Sequence, residues 1–205
     1  MKKMTFVLLV SLMSLSLAAK EYSYWNWTCL STKIDRVKVK LLLDNRFRDG
    51  SEDHHFTFGT LNLSTAINDY WNAGVSYSIY KSEGKDKKWR NGRRLEFELN
   101  PHYKLDSGVK LSMRNRIEFR DLEGKGSANT RSRHRVGFFV PIKTEFKSFK
   151  GLFAANEFFI NYDNSLNRWN ENRLQPLGLS FQINKQTKLS VFSMIQQKRK
   201  RFSND

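Results

Sequence analysis

Apolar and polar residues alternate with a period of two along most of this chain. From Arg94 to Asn100, Leu95, Phe97 and Leu99 fall on one parity, and Arg94, Glu96, Glu98 and Asn100 on the other. Successive side chains of an extended strand project to opposite faces, so the pattern predicts a strand with one apolar and one charged face. The next run repeats it, with Leu111, Met113, Ile117 and Phe119 against Arg114, Arg116, Glu118 and Arg120. In a third, Arg131, Arg133 and Arg135 alternate with Val136, Phe138 and Val140. Weaker stripes run from Val37 to Phe47, where Lys38, Lys40, Asp44, Arg46 and Arg48 take the polar parity, and through Phe56 and Phe58. Others run from Trp71 to Ile79, from Glu157 to Tyr162, from Leu177 to Ile183 and from Leu189 to Ile195.

Turn-forming clusters separate these runs. Asn45 to Asp53, Ser82 to Gly92, Glu123 to Asn129 and Asp163 to Glu171 are the longer ones, and Ala66 to Asp69, Asp106 to Gly108 and Asn184 to Thr187 are short. The rhythm predicts an all-β, up-and-down antiparallel meander of about eight to twelve strands, with ten the best fit if Tyr22 to Leu30 also pairs. Alternating short turns and longer loops are a habit of transmembrane β-barrels.

The first residues follow another pattern. Lys2 and Lys3 precede an apolar run from Met4 to Leu17, which ends in Ala18 and Ala19. A positive start, an apolar core and a small-residue exit predict a secretory signal peptide over residues 1–19. Residues 20–205 then form a single domain with a basic C-terminal tail. After the signal no apolar stretch is long enough for a membrane-spanning helix. A membrane protein lacking such helices must be a closed barrel, because lipid cannot satisfy open sheet edges.

The formal charge is +16, and losing Lys2 and Lys3 leaves +14. Such a balance suits nucleic-acid phosphates or anionic lipid. The export signal excludes nucleic acid as the expected partner. A single cysteine, Cys29, allows no intrachain disulfide and is expected to be small and buried or lipid-facing.

Alternation alone permits a soluble barrel with an apolar interior or a membrane barrel with a charged one. The charged stripes mix arginine with glutamate on neighbouring strands, which enclosed charges need and solvated ones do not. Arginine binds carboxylates bidentately, and it dominates the stripes, whereas lysines such as Lys85, Lys87, Lys88, Lys147, Lys150, Lys198 and Lys200 fall in loops and ends. Aromatics near strand ends (Tyr22, Tyr24, Trp25, Trp27, Tyr70, Trp71, Trp89, Tyr103, Tyr162 and Trp169) fit the girdles of a membrane barrel. The expected fold is therefore a transmembrane β-barrel in the bacterial outer membrane.

Several of these motifs occur in a familiar order. Arg46-Phe47, Arg94-Leu95-Glu96-Phe97-Glu98 and Arg114-Asn115-Arg116-Ile117-Glu118-Phe119-Arg120 are followed by Arg131-Ser132-Arg133-His134-Arg135, Asn156-Glu157-Phe158-Phe159 and Asn172-Arg173-Leu174. Over nearly all of the mature chain this resembles the bacterial family of domain of unknown function 2490, regarded as outer-membrane β-barrel proteins. The resemblance implies a fold and a location but no enzymatic activity. With Glu157 and Arg173, the expected interior charge network comprises Arg94, Glu96, Glu98, Arg114, Arg116, Glu118, Arg120, Arg131, Arg133 and Arg135. Its expected role is structural, a plug filling the barrel. The alternatives are a narrow anion-preferring channel and a soluble periplasmic barrel that binds an apolar ligand.

Chemical motifs are few. His54 and His55, beside Glu52 and Asp53 in an expected loop, have no metal-ligand spacing with His102 or His134. Ser132 and His134 share a face, but it is the apolar side of their strand, alongside Val136. No catalytic residue, metal or cofactor is expected. Expected partners are outer-membrane lipid, lipopolysaccharide and the barrel-assembly machinery, for a chain working as a monomer.

Overall fold

The computed structural model describes residues 23–48, 53–84, 86–124, 129–162 and 169–198. The signal at 1–19 and the basic tail beyond Lys198, with Lys85, Lys200, Glu52 and Tyr22, lie outside them. The described chain is an all-β antiparallel meander. Its strands are β1 (Ser23–Ile34), β2 (Val37–Arg48), β3 (Asp53–Ala66), β4 (Trp71–Glu83), β5 (Trp89–Lys104), β6 (Lys110–Leu122), β7 (Asn129–Pro141), β8 (Phe149–Asn161), β9 (Trp169–Gln182), β10 (Lys188–Phe192) and β11 (Ile195–Lys198). Each of β1 to β10 pairs with its sequence neighbours in order.

β10 and β11 together occupy the tenth position. β10 pairs with Gly178–Gln182 of β9, and β11 with Glu171–Leu174. The break between them faces a register shift in β9, whose Gln175 pairs with Ala155 and Gly178 with Phe153. Pro176 lies inside that shift. Proline has no N–H to give a ladder, and here the sheet bulges and its last strand is interrupted.

Strands run further than the turn residues suggest. Asn45 to Arg48 and Asp53 belong to β2 and β3, Ser82, Glu83 and Trp89 to Gly92 belong to β4 and β5, and Glu171 belongs to β9. Cross-strand pairing overrides the local turn preference, as where Asn45 pairs with Thr57, Ser82 with Arg90 and Glu171 with Phe159. His54 and His55 are likewise in β3 rather than a loop, with His54 Nε2 2.8 Å from Thr57 Oγ1.

The sheet curls into an open, barrel-like shell. Among the described residues no ladder joins β1 to β10 or β11. The two edges nevertheless face each other through side chains. The ring centroids of Trp27 and Phe192 are 5.6 Å apart, and the Arg173 guanidinium lies 5.1 Å from the Trp25 ring. Trp25 and Trp27 therefore point inward and do not join an outer girdle. Cys29 also lines the interior and is exposed there, neither buried nor turned outward.

The usual distribution of polarity is reversed. Phe97 is 51% exposed and Ile79 62%, whereas Glu96 is 1% and Glu118 0%. The apolar stripes of the alternation form the convex face and the charged stripes the concave one, except in β3, where Phe56 and Phe58 turn inward beneath Arg46 and Arg94. The buried apolar core is small, with Phe58, Ala155, Phe159 and Leu179.

Candidate functional site: a buried ion-pair network

The concave face is built from the polar parity of most strands, joined by Trp25 and Trp27 of β1 and Phe56 and Phe58 of β3, and the register decides which charges meet. Glu96 on β5 stands opposite Glu118 on β6, and Arg116 on β6 opposite Arg133 on β7. Directly opposed like charges are unfavourable, so these side chains pair along their own strands and on the diagonals, while Glu98 with Arg116 and Glu118 with Arg131 pair directly across. Arg94 approaches Glu96 at 2.9 Å along its own strand and Glu118 at 3.6 Å on the next. Arg116 forks between Glu96 at 3.0 Å and Glu98 at 3.1 Å.

Glu118 receives three arginines. Arg131 donates to it at 2.6 Å and Arg133 at 2.8 Å, and Arg94 lies beyond. Arg133 also reaches Glu157 at 3.0 Å, which Arg114 meets at 2.7 Å. A planar guanidinium suits such bridging because its fork carries five donors. Arg120 binds the side chains of Asn129 and Asn161, and Arg135 that of Gln175. Arg173 pairs with Glu171. Thus the residues assigned to the interior from the sequence sit on one face and bond to one another, with Arg120, Arg135 and Arg173 attached at the edges.

Other residues belong to the same assembly. Lys40, Asp44 and Arg46 line the concave face, and Arg46 pairs with Asp44. Their polar parity on β2 was visible, but it lay outside the arginine-rich motifs. Glu171 was hidden in an apparent loop. Phe159 had no charge signal at all. It is fully buried, and the guanidinium groups of Arg173, Arg131 and Arg133 lie 4.5, 4.7 and 4.8 Å from its ring. A ring face attracts cations, so Phe159 stabilises three arginines that carboxylates alone do not neutralise.

A cavity of about 490 Å³ remains between these side chains. Ten cationic side chains (Lys40, Arg46, Arg94, Arg114, Arg116, Arg120, Arg131, Arg133, Arg135 and Arg173) surround it or adjoin it. Six carboxylates oppose them, from Asp44, Glu96, Glu98, Glu118, Glu157 and Glu171. The interior is therefore net positive. Among the described residues no group of three or more His, Cys, Asp or Glu side chains converges to hold a metal ion.

A family model described as protein of unknown function (DUF2490) matches residues 22–205. No curated protein and no solved structure matches the chain.

Proposed function

Because the chain belongs to the DUF2490 family of proteins of unknown function, which brings no activity with it, we propose its role from the placement of its side chains: a β-barrel of the bacterial outer membrane whose interior is plugged by ion pairs. The observation that carries this reading is the reversed polarity, with Glu118 sealed inside and Phe97 and Ile79 outside. In water that arrangement would leave the apolar stripes unburied. In lipid it matches each face to its surroundings. The strands from β1 to β9 have 12 to 16 residues, beyond the ~9–11 that a tilted strand needs to cross a bilayer. Lipid also requires the facing edges of β1 and β10 to close, since unpaired backbone groups there cost several kcal/mol each.

The plug is the structural role. Guanidinium and carboxylate groups crowd the lumen and tie β5 through β9 together. A second reading, a narrow anion-preferring channel, draws on the cavity and its positive excess.

Cell fractionation tests the membrane reading. The protein is expected in the outer membrane, resistant to carbonate extraction, with migration that shifts on heating. Recovery from the soluble periplasm would sink it.

A further inference from the structure

The convex face carries a polar cluster that the plug does not use. Ser132 and His134 of β7 point outward, between the inward Arg131, Arg133 and Arg135. Asn115 of β6 is the direct cross-strand partner of His134. His134 Nε2 lies 3.1 Å from Ser132 Oγ, and His134 Nδ1 lies 2.9 Å from Asn115 Oδ1. The Tyr162 hydroxyl donates to Ser132 Oγ at 3.1 Å.

The proton positions follow from the outer end of this chain of contacts. Asn115 Nδ2 donates to the Leu99 carbonyl at 3.2 Å, so its Oδ1 is the atom turned to the imidazole. An oxygen there accepts, and His134 Nδ1 therefore carries the hydrogen. That leaves Nε2 with a free lone pair facing Ser132. The Ser132 oxygen already accepts from Tyr162, so its own hydrogen points to Nε2. The result is an oriented relay of hydroxyl, imidazole and amide, within the reach expected of a nucleophile, its base and the group that orients the base.

Its location gives the relay a substrate. Polar side chains on a lipid-facing stripe cost free energy that a leucine or valine would not. Internal hydrogen bonds make the cost bearable but give no reason for the residues to be there. Ser132 lies near the Asn129 end of β7, under the exposed Tyr162, close to the rim also marked by the exposed Trp169. Exposed aromatics at a barrel rim sit at headgroup level, where the acyl esters of membrane lipids also lie.

We propose that Ser132, His134 and Asn115 form a lipid-facing acyl-hydrolase site that cleaves fatty-acyl ester bonds of membrane lipids. Ser132 is the nucleophile, His134 the general base and acid, and Asn115 the positioning residue. Ser132 Oγ bonds to the ester carbonyl carbon while its proton passes to His134 Nε2, and the carbonyl electron pair moves onto oxygen. Tyr162, swung off Ser132, donates to that oxyanion. Collapse breaks the bond to the leaving alkoxide, which takes the proton from Nε2. Water, deprotonated by the same nitrogen, then attacks the acyl-serine, releasing the fatty acid and restoring Ser132. At rest Ser132 is only 1% exposed while Tyr162 is 53% exposed. The tyrosine is thus the removable cover, and lipid displaces it on binding.

This inference rests on the membrane reading, and one preparation separates the two. The full chain is refolded into vesicles of phosphatidylethanolamine and phosphatidylglycerol, with a parallel set containing lipopolysaccharide. Flotation and heat-shifted migration report insertion. A fluorophosphonate probe and fatty-acid release report the site. The expected result is labelling at Ser132 and release that Ser132→Ala abolishes. His134→Ala should lower release at least ~100-fold, the usual scale of a general base. Asn115→Leu should lower kcat with little change in KM, and Asn115→Asp, which still accepts from Nδ1, should recover most of it. Release only from the lipopolysaccharide vesicles supports the site and assigns its lipid. A chain that floats and shifts on heating yet shows neither label nor release overturns this inference alone, as does release unchanged in Ser132→Ala. A chain that does not float overturns the membrane reading along with it.

Discussion

Arg133 reaches Glu118 diagonally across the β6–β7 pair, its Nη1 donating to Oε1 at 2.8 Å, and the carboxylate it meets is completely buried. Glu118 is the point where β5, β6 and β7 share charge. Replacing it with Ala would leave Arg94, Arg131 and Arg133 around an empty centre. Removing one member of a buried pair typically costs ~3–5 kcal/mol, because the remaining charge keeps its desolvation penalty. Glu118→Ala is expected to lose that much in urea unfolding from vesicles. Glu123→Ala, outside the network, should lose far less.

Arg116 holds the plug on its other side. Its two terminal nitrogens bridge Glu96 and Glu98. Arg116→Glu would place three carboxylates together and drive them apart. Wild-type protein in planar bilayers is expected to be closed. The variant should open to measurable conductance, and the double variant Glu98→Arg, Arg116→Glu should close again, because it restores the pair. Anion-biased conductance in the wild type would favour the channel reading.

Gly92 is fixed by a close approach. Its cross-strand partner is Tyr80, and a Cβ at position 92 would fall 2.2 Å from the tyrosine ring. That ring cannot easily retreat, since it packs on Phe56 and Phe58 at centroid distances of 5.9 and 6.4 Å. Gly92→Ala should therefore destabilise by ~1–3 kcal/mol, the scale of overpacking. In a Tyr80→Ala background the same substitution should cost much less, and a double-mutant cycle in urea measures the difference.

At the rim, Arg90 donates two hydrogen bonds to Asp86, at 2.9 and 2.7 Å, and holds its carboxyl below the ordinary 3.8. The Asn91 amide and side chain both donate to Glu123 and lower it from 4.5. A carboxyl depressed in the folded state stabilises its contact fully above its ordinary value, and that contribution is lost as pH falls toward the depressed one. Both contacts should hold at neutral pH and open progressively as the pH falls below the ordinary carboxylate range. Hydrogen exchange at the Asn91 amide, corrected for its intrinsic rate, should accelerate with that fall while interior amides stay protected.

The legibility of this protein varied with the length over which a pattern held. The alternations in β5, β6 and β7 are long enough to separate their two faces without any structure, and the residues they assign to the polar side do share the concave surface. Trp25, Trp27 and Cys29 were harder to place. Their stretch mixes aromatic and polar residues on both parities, so the inward side became evident only from contacts such as the Arg46 guanidinium 3.8 Å above the Trp25 ring. Phe159 shares the parity of Glu157 and Asn161, opposite Phe158, and only the folded sheet brings it against three arginines.

By itself the sequence determined the all-β class, the meander and the segregation of charge from apolar residues, because these depend only on the two-residue period of an extended strand. Tertiary structure decided which charges pair, since diagonal contacts depend on register. It also decided where Pro176 interrupts the last strand and how the two sheet edges face each other. The same holds for Asn115. Seventeen positions before Ser132, it carries no mark in the sequence, and only the β6–β7 register sets its amide against the imidazole of His134.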